Sequence, residues 1–296
     1  MPKVSIVMPT YNSSLTLPKS LDSIASQTFD DIELLLIDGA SNDATLEIAD
    51  AYNHIVSLCI SEKDNGMYDA INKGIKASTG EYIIILNSDD LYFPKTIEHL
   101  IGIASMHDDR TIVSALACEF SERGRQFIRN IPIRSWNYSA HLRMPLRHEL
   151  MLIPGDIYSE LGGYDTSYKL AGDLDICSRI KLDDSIKVIQ EEIYLMGFRA
   201  GGMGYMLNTT LINERIQHYK KIFGELPNPF LDTLARDASP QQLYEQLSQI
   251  NFADLTNSDN LILACRDYLG TRGYYQIEGN LPKWKTLTNW ANELNV

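Results

Sequence analysis

Short apolar runs alternate with helical stripes through the first 110 residues, and this alternation constrains the fold more than any other feature. Ile32–Ile37 (IELLLI) and Tyr82–Leu86 (YIIIL) are nearly continuous apolar runs, which is typical of strands buried on both faces of a parallel sheet. Between them, Ile71 and Ile75 recur at helical spacing within Tyr68–Ala77. Strands separated by helices predict βαβ units. We therefore predict an α/β fold with a single, mostly parallel twisted sheet flanked by helices.

The second half of the chain is less regular. Thr111–Ala117 is strand-like, and Lys187–Ile189 predicts a short strand. From about residue 208 onward, apolar stripes at helical spacing are separated by prolines, which predicts an appended helical region. We expect a sheet domain over residues 1–207, divided into two halves after residue 110, and a helical region over residues 208–296.

Net charge and the length of the apolar runs exclude several classes of protein. The formal charge of −13 argues against a general nucleic-acid binder. The longest apolar runs fall far short of the ~18 to 20 residues that cross a bilayer. The four cysteines show no C-x-x-C spacing, which favours reduced thiols in a cytoplasmic protein. Residues 30–110 contain 16 acidic and 5 basic side chains, so this half would need a cation to bind a phosphate.

Polar residues follow the predicted strands at the points where each strand ends. These segments are Thr10–Asn12, Asp38–Gly39, Glu62–Asn65 and Asn87–Asp90. In parallel sheets, ligands bind beyond the carboxyl ends of the strands, so these segments are candidate binding residues. Asn87–Asp90 has two interpretations that stay open at this point. It is either an Asx turn or helix cap, or a set of oxygen ligands that hold Mg²⁺ or Mn²⁺ together with substrate phosphates.

Three of these stretches resemble the motifs of a known enzyme family. Residues 8–12 (MPTYN), 65–75 (NGMYDAINKGI) and 80–90 (GEYIIILNSDD) are similar to a family 2 glycosyltransferase with the A-type (GT-A) fold, of the kind that assembles bacterial polysaccharides such as colanic acid. The resemblance covers about residues 3–205. It implies an inverting enzyme that moves a sugar from a nucleotide diphosphate, here a UDP-sugar, to an acceptor hydroxyl, with Mg²⁺ or Mn²⁺ as cofactor. It also implies that residues 1–110 bind the nucleotide and residues 111–207 the acceptor.

The resemblance assigns the nucleotide-binding and metal-binding residues. Tyr11 is expected to pack on the base, and Asp38 to accept the N3–H of uracil. The full nucleotide-binding set is Thr10, Tyr11, Asn12, Asp38, Asp64, Tyr68, Asn72, Lys73 and Ser88. The D-x-D metal motif of the family reads Asn87-x-Asp89 here, so Asp89, with Asp90, is the expected metal ligand. The amide that replaces the first acid still offers a carbonyl oxygen to such an ion.

A second acidic segment, Ala171–Asp175, opens a predicted helix. Acids in the first turn of a helix are stabilised by its dipole, so a purely structural interpretation is available. The segment also resembles the E-D-x-D segment of the family, whose second acid is the catalytic base. That acid aligns with Asp173, and Gly172 replaces the first. Asp175 is expected to pair with Arg179 one turn later. The residues expected on the acceptor side are Trp136, Arg147, His148, Asp175 and Arg199.

Basic residues are concentrated on the expected acceptor side. Residues 123–147 contain six arginines and no acid, which predicts either an anionic acceptor, such as an acidic saccharide or a lipid-linked one, or a solvated basic face. The apolar stripe within Ile212–Phe223, beside Arg215 and Lys220, predicts either peripheral contact with the inner face of the membrane or a homodimer formed through the C-terminal helices.

Rival functions are weighed by the motifs that they require. A sugar nucleotidyltransferase should have a glycine-rich basic loop after its first strand, whereas Thr10–Leu15 contains no glycine. A dinucleotide-dependent oxidoreductase needs G-x-G-x-x-G at that place, and the sequence lacks it. A catalytically degenerate scaffold that binds nucleotide sugars stays open as an alternative, because Asn87 and Gly172 depart from the family motifs.

Overall fold

The computed structural model divides the chain into two compact units, one of residues 1–132 and 146–206 and the other of residues 133–145 and 207–296. The residues that the structure describes are 3–120, 126–127, 138–142, 146–201, 207–236, 240–247, 250, 261, 263–265 and 267. Residues 133–145, which we expected in the acceptor half of the sheet domain, belong to the second unit. The functional division of residues 1–207 into nucleotide and acceptor halves stays a prediction.

The first unit is built from alternating strands and helices. Its elements are β1 (Val4–Thr10), α1 (Leu17–Ala25), β2 (Ile32–Asp38), α2 (Thr45–Ala51), β3 (Val56–Ser61), α3 (Met67–Ala77), β4 (Tyr82–Ile85), β5 (Leu91–Tyr92), α4 (Thr96–Ala104), β6 (Thr111–Phe120), β7 (Gln126–Phe127), β8 (Ile153–Pro154), α5 (Gly155–Leu161), α6 (Gly172–Leu182) and β9 (Lys187–Arg199). Short 3₁₀ turns cover Tyr138–His141, in the second unit, and His148–Leu150, just before β8.

Five strands form the larger sheet, in the order β3-β2-β1-β4-β8. The strands β1, β2, β3 and β4 are parallel, and the short β8 is antiparallel to β4. Thr10 is paired with Asp38, and Asp38 with Ser61, so the carboxyl ends of three strands lie side by side. The α/β fold with a mostly parallel sheet is confirmed.

The predicted single sheet is in fact two sheets. The second has the order β5-β9-β6-β7, and an antiparallel bridge between Val113 and Leu152 joins it to the first, with N–H···O distances of 3.2 and 2.8 Å. The short strand that we expected at Lys187–Ile189 continues to Arg199. The strand extends this far because β9 pairs with β6 on one side and with β5 on the other, and both partners are distant in sequence.

Both faces of the larger sheet are covered, as its apolar runs predict. On one face, Ile6 and Leu36 belong to a buried cluster with Leu21 of α1 and Leu100 of α4. The opposite face is covered by α3, which packs against β1 and β2. That helix approaches the sheet at Gly74, where an added Cβ would lie 2.2 Å from Val7 Cγ1.

The second unit contains α7 (Thr209–Phe223), α8 (Asn228–Ala235) and α9 (Pro240–Leu247). Asn208 caps α7, because its Oδ1 accepts the Leu211 N–H at 2.9 Å. The apolar stripe that we expected to contact a membrane or a second copy is buried inside the protein at Ile212, Tyr219 and Phe223. That stripe is therefore not a docking surface. Within the described residues, no helix is long and apolar enough to cross a membrane.

We expect Gly74→Ala to destabilise the protein, because its methyl group would overlap Val7 Cγ1. Overpacking of this kind lowers the free energy of unfolding by about 1–3 kcal/mol. The matched control is Gly102→Ala in α4, where no atom lies within 4 Å of an added Cβ. The control should gain up to about 1 kcal/mol from helix propensity. Urea unfolding measures both, and equal effects would contradict the close approach of α3 to the sheet.

Candidate active site

The loops after β1, β2 and β4 are connected by hydrogen bonds at the carboxyl edge of the larger sheet. The Asn12 N–H donates to Ser41 Oγ at 2.7 Å, and the Ser13 N–H to Thr45 Oγ1 at 2.8 Å. The hydroxyl groups of Ser13 and Ser88 lie 2.8 Å apart. Three of the segments predicted from the strand ends therefore form one continuous rim.

Asp38 lies beneath this rim and is only 1% exposed. Its carboxylate accepts hydrogen bonds from Thr10 Oγ1 at 3.2 Å, the Ser41 N–H at 2.9 Å, Ser61 Oγ at 2.7 Å and Ser41 Oγ. Both oxygens already have partners, and a buried carboxylate is costly to leave without them. We therefore reassign Asp38, and Thr10 with it, from contact with the nucleotide to support of the rim.

Tyr11, on the rim, and Asp64, which follows β3, lie close together beside Gly39. The Tyr11 ring is 65% exposed. A Cβ at Gly39 would lie 2.6 Å from Asp64 Oδ2 and 3.3 Å from Tyr11 Cδ2, so the aromatic ring and the carboxylate flank the same glycine. The other oxygen, Asp64 Oδ1, accepts the Gly66 N–H at 2.9 Å. A flat aromatic surface beside a hydrogen-bond acceptor suits a planar base that carries an N–H.

Two residues of α3 that we expected to touch the nucleotide contact Tyr164 instead. The Tyr68 ring is buried and stacks on Tyr164, with 5.4 Å between the ring centroids. Asn72 donates its Nδ2 to the Tyr164 carbonyl oxygen and accepts the Tyr164 N–H at its Oδ1, both at 2.8 Å. The amide of Asn72 is thereby committed to the backbone of Tyr164. Lys73 stays near the surface and donates to Glu62 Oε1 at 2.9 Å, which raises its pKa.

Asp173 lies in the first turn of α6 and is half-buried. Its backbone N–H donates to the hydroxyl of Tyr68 at 3.3 Å. Burial raises the pKa of its carboxyl group, and the nearby charge of His148 opposes that rise. A Cβ at Gly172 would lie 2.7 Å from Tyr68 Cε2. The tyrosine ring therefore occupies the space of any side chain at position 172, which explains the glycine at this departure from the family motif.

Asp175 points away from solvent and forms the predicted pair with Arg179, at 2.7 Å from its Nε. Asp175 is fully buried, so the acceptor contact that we also expected for it is wrong. The guanidinium of Arg179 donates to the carbonyl oxygens of Leu161 and Gly163, both at 2.7 Å. The segment from Leu161 to Tyr164 is therefore held by two side chains, Arg179 of α6 and Asn72 of α3.

The segment after β4 presents oxygen atoms of different exposure. Asp89 is half-buried, and burial raises its pKa against the opposing charge of Arg199. Asp90 is buried, and its Oδ1 accepts the Arg199 N–H at 2.8 Å. Within the part of the chain that the structure describes, Asp90 Oδ2 and Asn87 Oδ1 are buried without a hydrogen-bond partner.

These oxygens decide whether a divalent cation fits. No group of three or more His, Cys, Asp or Glu side chains among the described residues is arranged to hold a metal. The residues instead fit an ion that takes one protein carboxylate, Asp89, together with an amide oxygen and the oxygens of a bound diphosphate. That sparse set of oxygen ligands is typical of Mg²⁺ sites that depend on substrate phosphates.

Glu149 is a site residue that the sequence reasoning missed. It is 3% exposed, and its Oε1 accepts from Asn87 Nδ2 at 2.8 Å and lies 3.1 Å from His148 Nε2. Burial would raise the pKa of Glu149, but the charge and hydrogen bond of His148 lower it, to about 2. Its position directly after His148 was the available signal, but nothing in the spacing connects position 149 with position 87.

The structure places the other residues that we expected on the acceptor side in different environments. His148 is buried, with Nδ1 3.1 Å from the Tyr164 hydroxyl and Nε2 beside Glu149, so neither ring nitrogen is available to an acceptor. The Arg147 guanidinium lies 3.8 Å from the centroid of the Phe198 ring. Arg199 contacts Asp90 through its backbone, as described above. Trp136 lies outside the described residues.

The architecture matches that of GT-A glycosyltransferases in known structures. S. aureus TarS 1-349 in complex with UDP-GlcNAc superposes with a TM-score of 0.59 at 17% identity, over 91% of this chain and 81% of that chain. The mannosyltransferase PcManGT from Pyrobaculum calidifontis, in complex with GDP-Man and Mn²⁺, superposes with a TM-score of 0.57 at 20% identity, over 100% of this chain and 81% of that chain. At these identities the likeness shows the fold.

The family follows from the sequence comparison. The model of glycosyl transferase family 2 matches residues 5–156, so the chain belongs to that family. An uncharacterized glycosyltransferase of Rickettsia typhi is 32% identical over 184 residues, which are 59% of this chain and 57% of the relative. The chain thus spans little more than half the length of the first curated relatives that it matches.

We expect Asn72→Ala to reduce stability without weakening nucleotide binding. The substitution removes both hydrogen bonds to the Tyr164 backbone, and each buried group left without a partner costs about 1–3 kcal/mol. Thermal unfolding and UDP titration calorimetry measure the two effects, with Asn53→Ala, at an exposed position after α2, as the control. A loss of UDP affinity in folded Asn72→Ala would instead place Asn72 at the nucleotide.

Proposed function

We propose that this chain transfers a sugar, with inversion, from a UDP-sugar to a hydroxyl group of a saccharide or lipid-linked acceptor. One observation carries the proposal: a single set of contacts connects the first turn of α6, at the backbone N–H of Asp173, to the acidic segment after β4. It runs from Asp173 to Tyr68 and Tyr164, and through His148 and Glu149 to Asn87. The segment that carries the candidate base and the segment that would hold the phosphates are therefore connected by direct contacts.

The sugar donor would bind along the rim at the carboxyl edge of the sheet. Tyr11 offers its exposed ring to the base, and Asp64, beside it, takes over the acceptor role that we first predicted for Asp38. Asn12 and Ser88 shape the adjoining loops through Ser41 and Ser13. UDP-GlcNAc bound by TarS supports a uridine nucleotide, whereas GDP-Man bound by PcManGT shows that the fold also accepts guanosine.

A divalent cation, Mg²⁺ or Mn²⁺, would be held by Asp89 and the amide oxygen of Asn87 together with the diphosphate. The Mn²⁺ bound with GDP-Man in PcManGT supports this assignment. When bound, such an ion supplies Lewis-acid stabilisation to the charge that develops on the leaving diphosphate. Asp90, whose Oδ1 is bonded to the Arg199 N–H, would hold the loop that carries Asp89.

Asp173 would act as the general base. A hydroxyl group is a poor nucleophile, so a carboxylate must take its proton as it attacks the anomeric carbon. Attack from the face opposite the diphosphate inverts the configuration in one step, without a covalent intermediate. Burial favours this role because it makes Asp173 a stronger base than an exposed aspartate.

Few of the residues from which we predicted the acceptor class are described by the structure. Most of the arginine-rich segment, residues 123–147, lies outside the described residues, so an anionic acceptor stays a prediction. The same holds for a role in cell-surface polysaccharide synthesis and for a cytoplasmic location at the inner face of the membrane. The rival, a scaffold that binds nucleotide sugars without turning them over, is separated from an enzyme by the next experiment.

We expect Asp173→Asn to lower turnover of UDP-sugars by ~10²-fold or more, in line with the loss of a general base. UDP affinity should stay within about twofold, because no contact of the rim involves Asp173. The matched control is Asp156→Asn, which makes the same change at an exposed position in the first turn of α5. Mn²⁺-dependent release of UDP and UDP calorimetry are the measurements. A wild-type chain that binds UDP-sugars without releasing UDP would leave the scaffold as the function.

The dependence of kcat on pH should reflect the raised pKa of Asp173. A general base works only when deprotonated, and burial raises the pKa of Asp173 above its usual value of 3.8. The acidic limb of kcat should therefore lie at a higher pH than an ordinary aspartate would give. Initial rates at saturating sugar donor and Mn²⁺ measure it, and circular dichroism at each pH confirms folding. Full activity maintained down to pH 4 would contradict the assignment.

A further inference from the structure

The amide of Asn87 has a fixed orientation. Its Nδ2 lies 2.8 Å from Glu149 Oε1. A carboxylate only accepts hydrogen bonds, so the nitrogen of the amide must face Glu149 and the oxygen must face the other way. That oxygen is buried and has no hydrogen-bond partner among the described residues. The orientation of the Asn87 amide is therefore determined by its hydrogen bond to Glu149, which is itself almost inaccessible to solvent.

Glu149 is held by its backbone as well as by its side chain. The buried hydroxyl of Tyr92 donates to the Glu149 carbonyl oxygen at 2.6 Å and lies 2.7 Å from the Ile85 carbonyl oxygen at the end of β4. The side chain of Glu149 is bracketed by Asn87 Nδ2 and His148 Nε2. Two contacts thus fix Glu149 relative to the end of β4, one through the Tyr92 hydroxyl and one through Asn87.

The same glutamate is coupled to the side of the site that holds the candidate base. His148, which contacts Glu149 through Nε2, contacts the Tyr164 hydroxyl through Nδ1 at 3.1 Å. Tyr164 in turn stacks on Tyr68, whose hydroxyl accepts the backbone N–H of Asp173. A substitution at Glu149 would therefore affect the position of Asn87 and that of the first turn of α6.

From this geometry we propose that Glu149 is a positioning residue, which fixes the orientation of the Asn87 amide and connects it to the first turn of α6, where Asp173 lies. The proposal rests on the proposed function for what the site does. It requires one acid and one amide at positions 87 and 149, because two carboxylates 2.8 Å apart repel each other. An acid at position 87 is tolerated only when position 149 becomes an amide.

Three variants test this requirement through stability, and a fourth, Glu149→Gln alone, tests it through activity. Asn87→Asp places two acids together and should lower the Tm by at least about 4 °C, a large shift for a chain of this size. The double variant Asn87→Asp with Glu149→Gln restores one acid and one amide in exchanged positions, and should recover most of the lost Tm. Asn53→Asp, an exposed position, adds the same charge as the control and should leave the Tm unchanged.

Activity distinguishes positioning from a merely structural role. Glu149→Gln alone should lower kcat for UDP release by about tenfold or more and leave the KM for the UDP-sugar within about threefold. This variant keeps the proposal testable if Asn87→Asp does not fold. A lowered Tm with unchanged kcat in folded Glu149→Gln would overturn the positioning role, as would a double variant no more stable than Asn87→Asp.

Failure of the Asn87–Glu149 pairing and failure of the proposed function give different results. A wild-type chain that turns over no UDP-sugar, combined with a Tm rescue in the double variant, would remove the proposed function and with it the catalytic purpose of Glu149. An active wild-type chain without any Tm rescue would remove the pairing of positions 87 and 149 and leave the proposed function in place.

Discussion

Parallel pairing of β1 with β2 on one side and β4 on the other requires each crossover to begin at the same edge of the sheet. Every loop that leaves these strands must therefore turn within a few ångströms of its neighbours. The serine, threonine and asparagine contacts of the rim give partners to loop backbone groups that lose some of their contact with water at this crowded edge. The site occupies this edge because the pairing places the loops there.

Desolvation then decides what the acids at this edge do. Asp38, Asp90, Asp175 and Glu149 are all nearly inaccessible to solvent, and a buried carboxylate is tolerated only with compensating donors or charges. Each of them holds a neighbouring segment in place: the Ser41 turn, the Arg199 backbone, the Arg179 guanidinium or the Asn87 amide. Asp64, Asp89 and Asp173 keep more exposure, and they are the acids to which we assign contact with substrate.

The helix α3 links the two sides of the site. It approaches β1 at Gly74, and two residues at helical spacing on it, Tyr68 and Asn72, hold the segment that leads into α6. Glycines on that segment allow the approach, since a Cβ at Gly163 would lie 2.5 Å from Asn72 Oδ1 and one at Gly172 would meet the Tyr68 ring. The glycine that replaces an acid at position 172 is thus a packing requirement of this chain.

The sequence by itself determined the α/β class, the alternation of strands and helices in the first half of the chain and the segments that follow the strands at the carboxyl edge, because hydrophobic periodicity and strand–helix alternation are local signals. It also determined the pair of Asp175 and Arg179, which are neighbours on one helix turn. Only the tertiary structure decided that Asp38, Tyr68 and His148 are buried, that the Asn72 amide bonds to the Tyr164 backbone, that β9 extends to Arg199, and that Glu149 belongs to the site. Burial and partner choice depend on contacts between residues up to about a hundred positions apart, such as Asn72 with Tyr164 or Asp90 with Arg199. No local pattern carries that information.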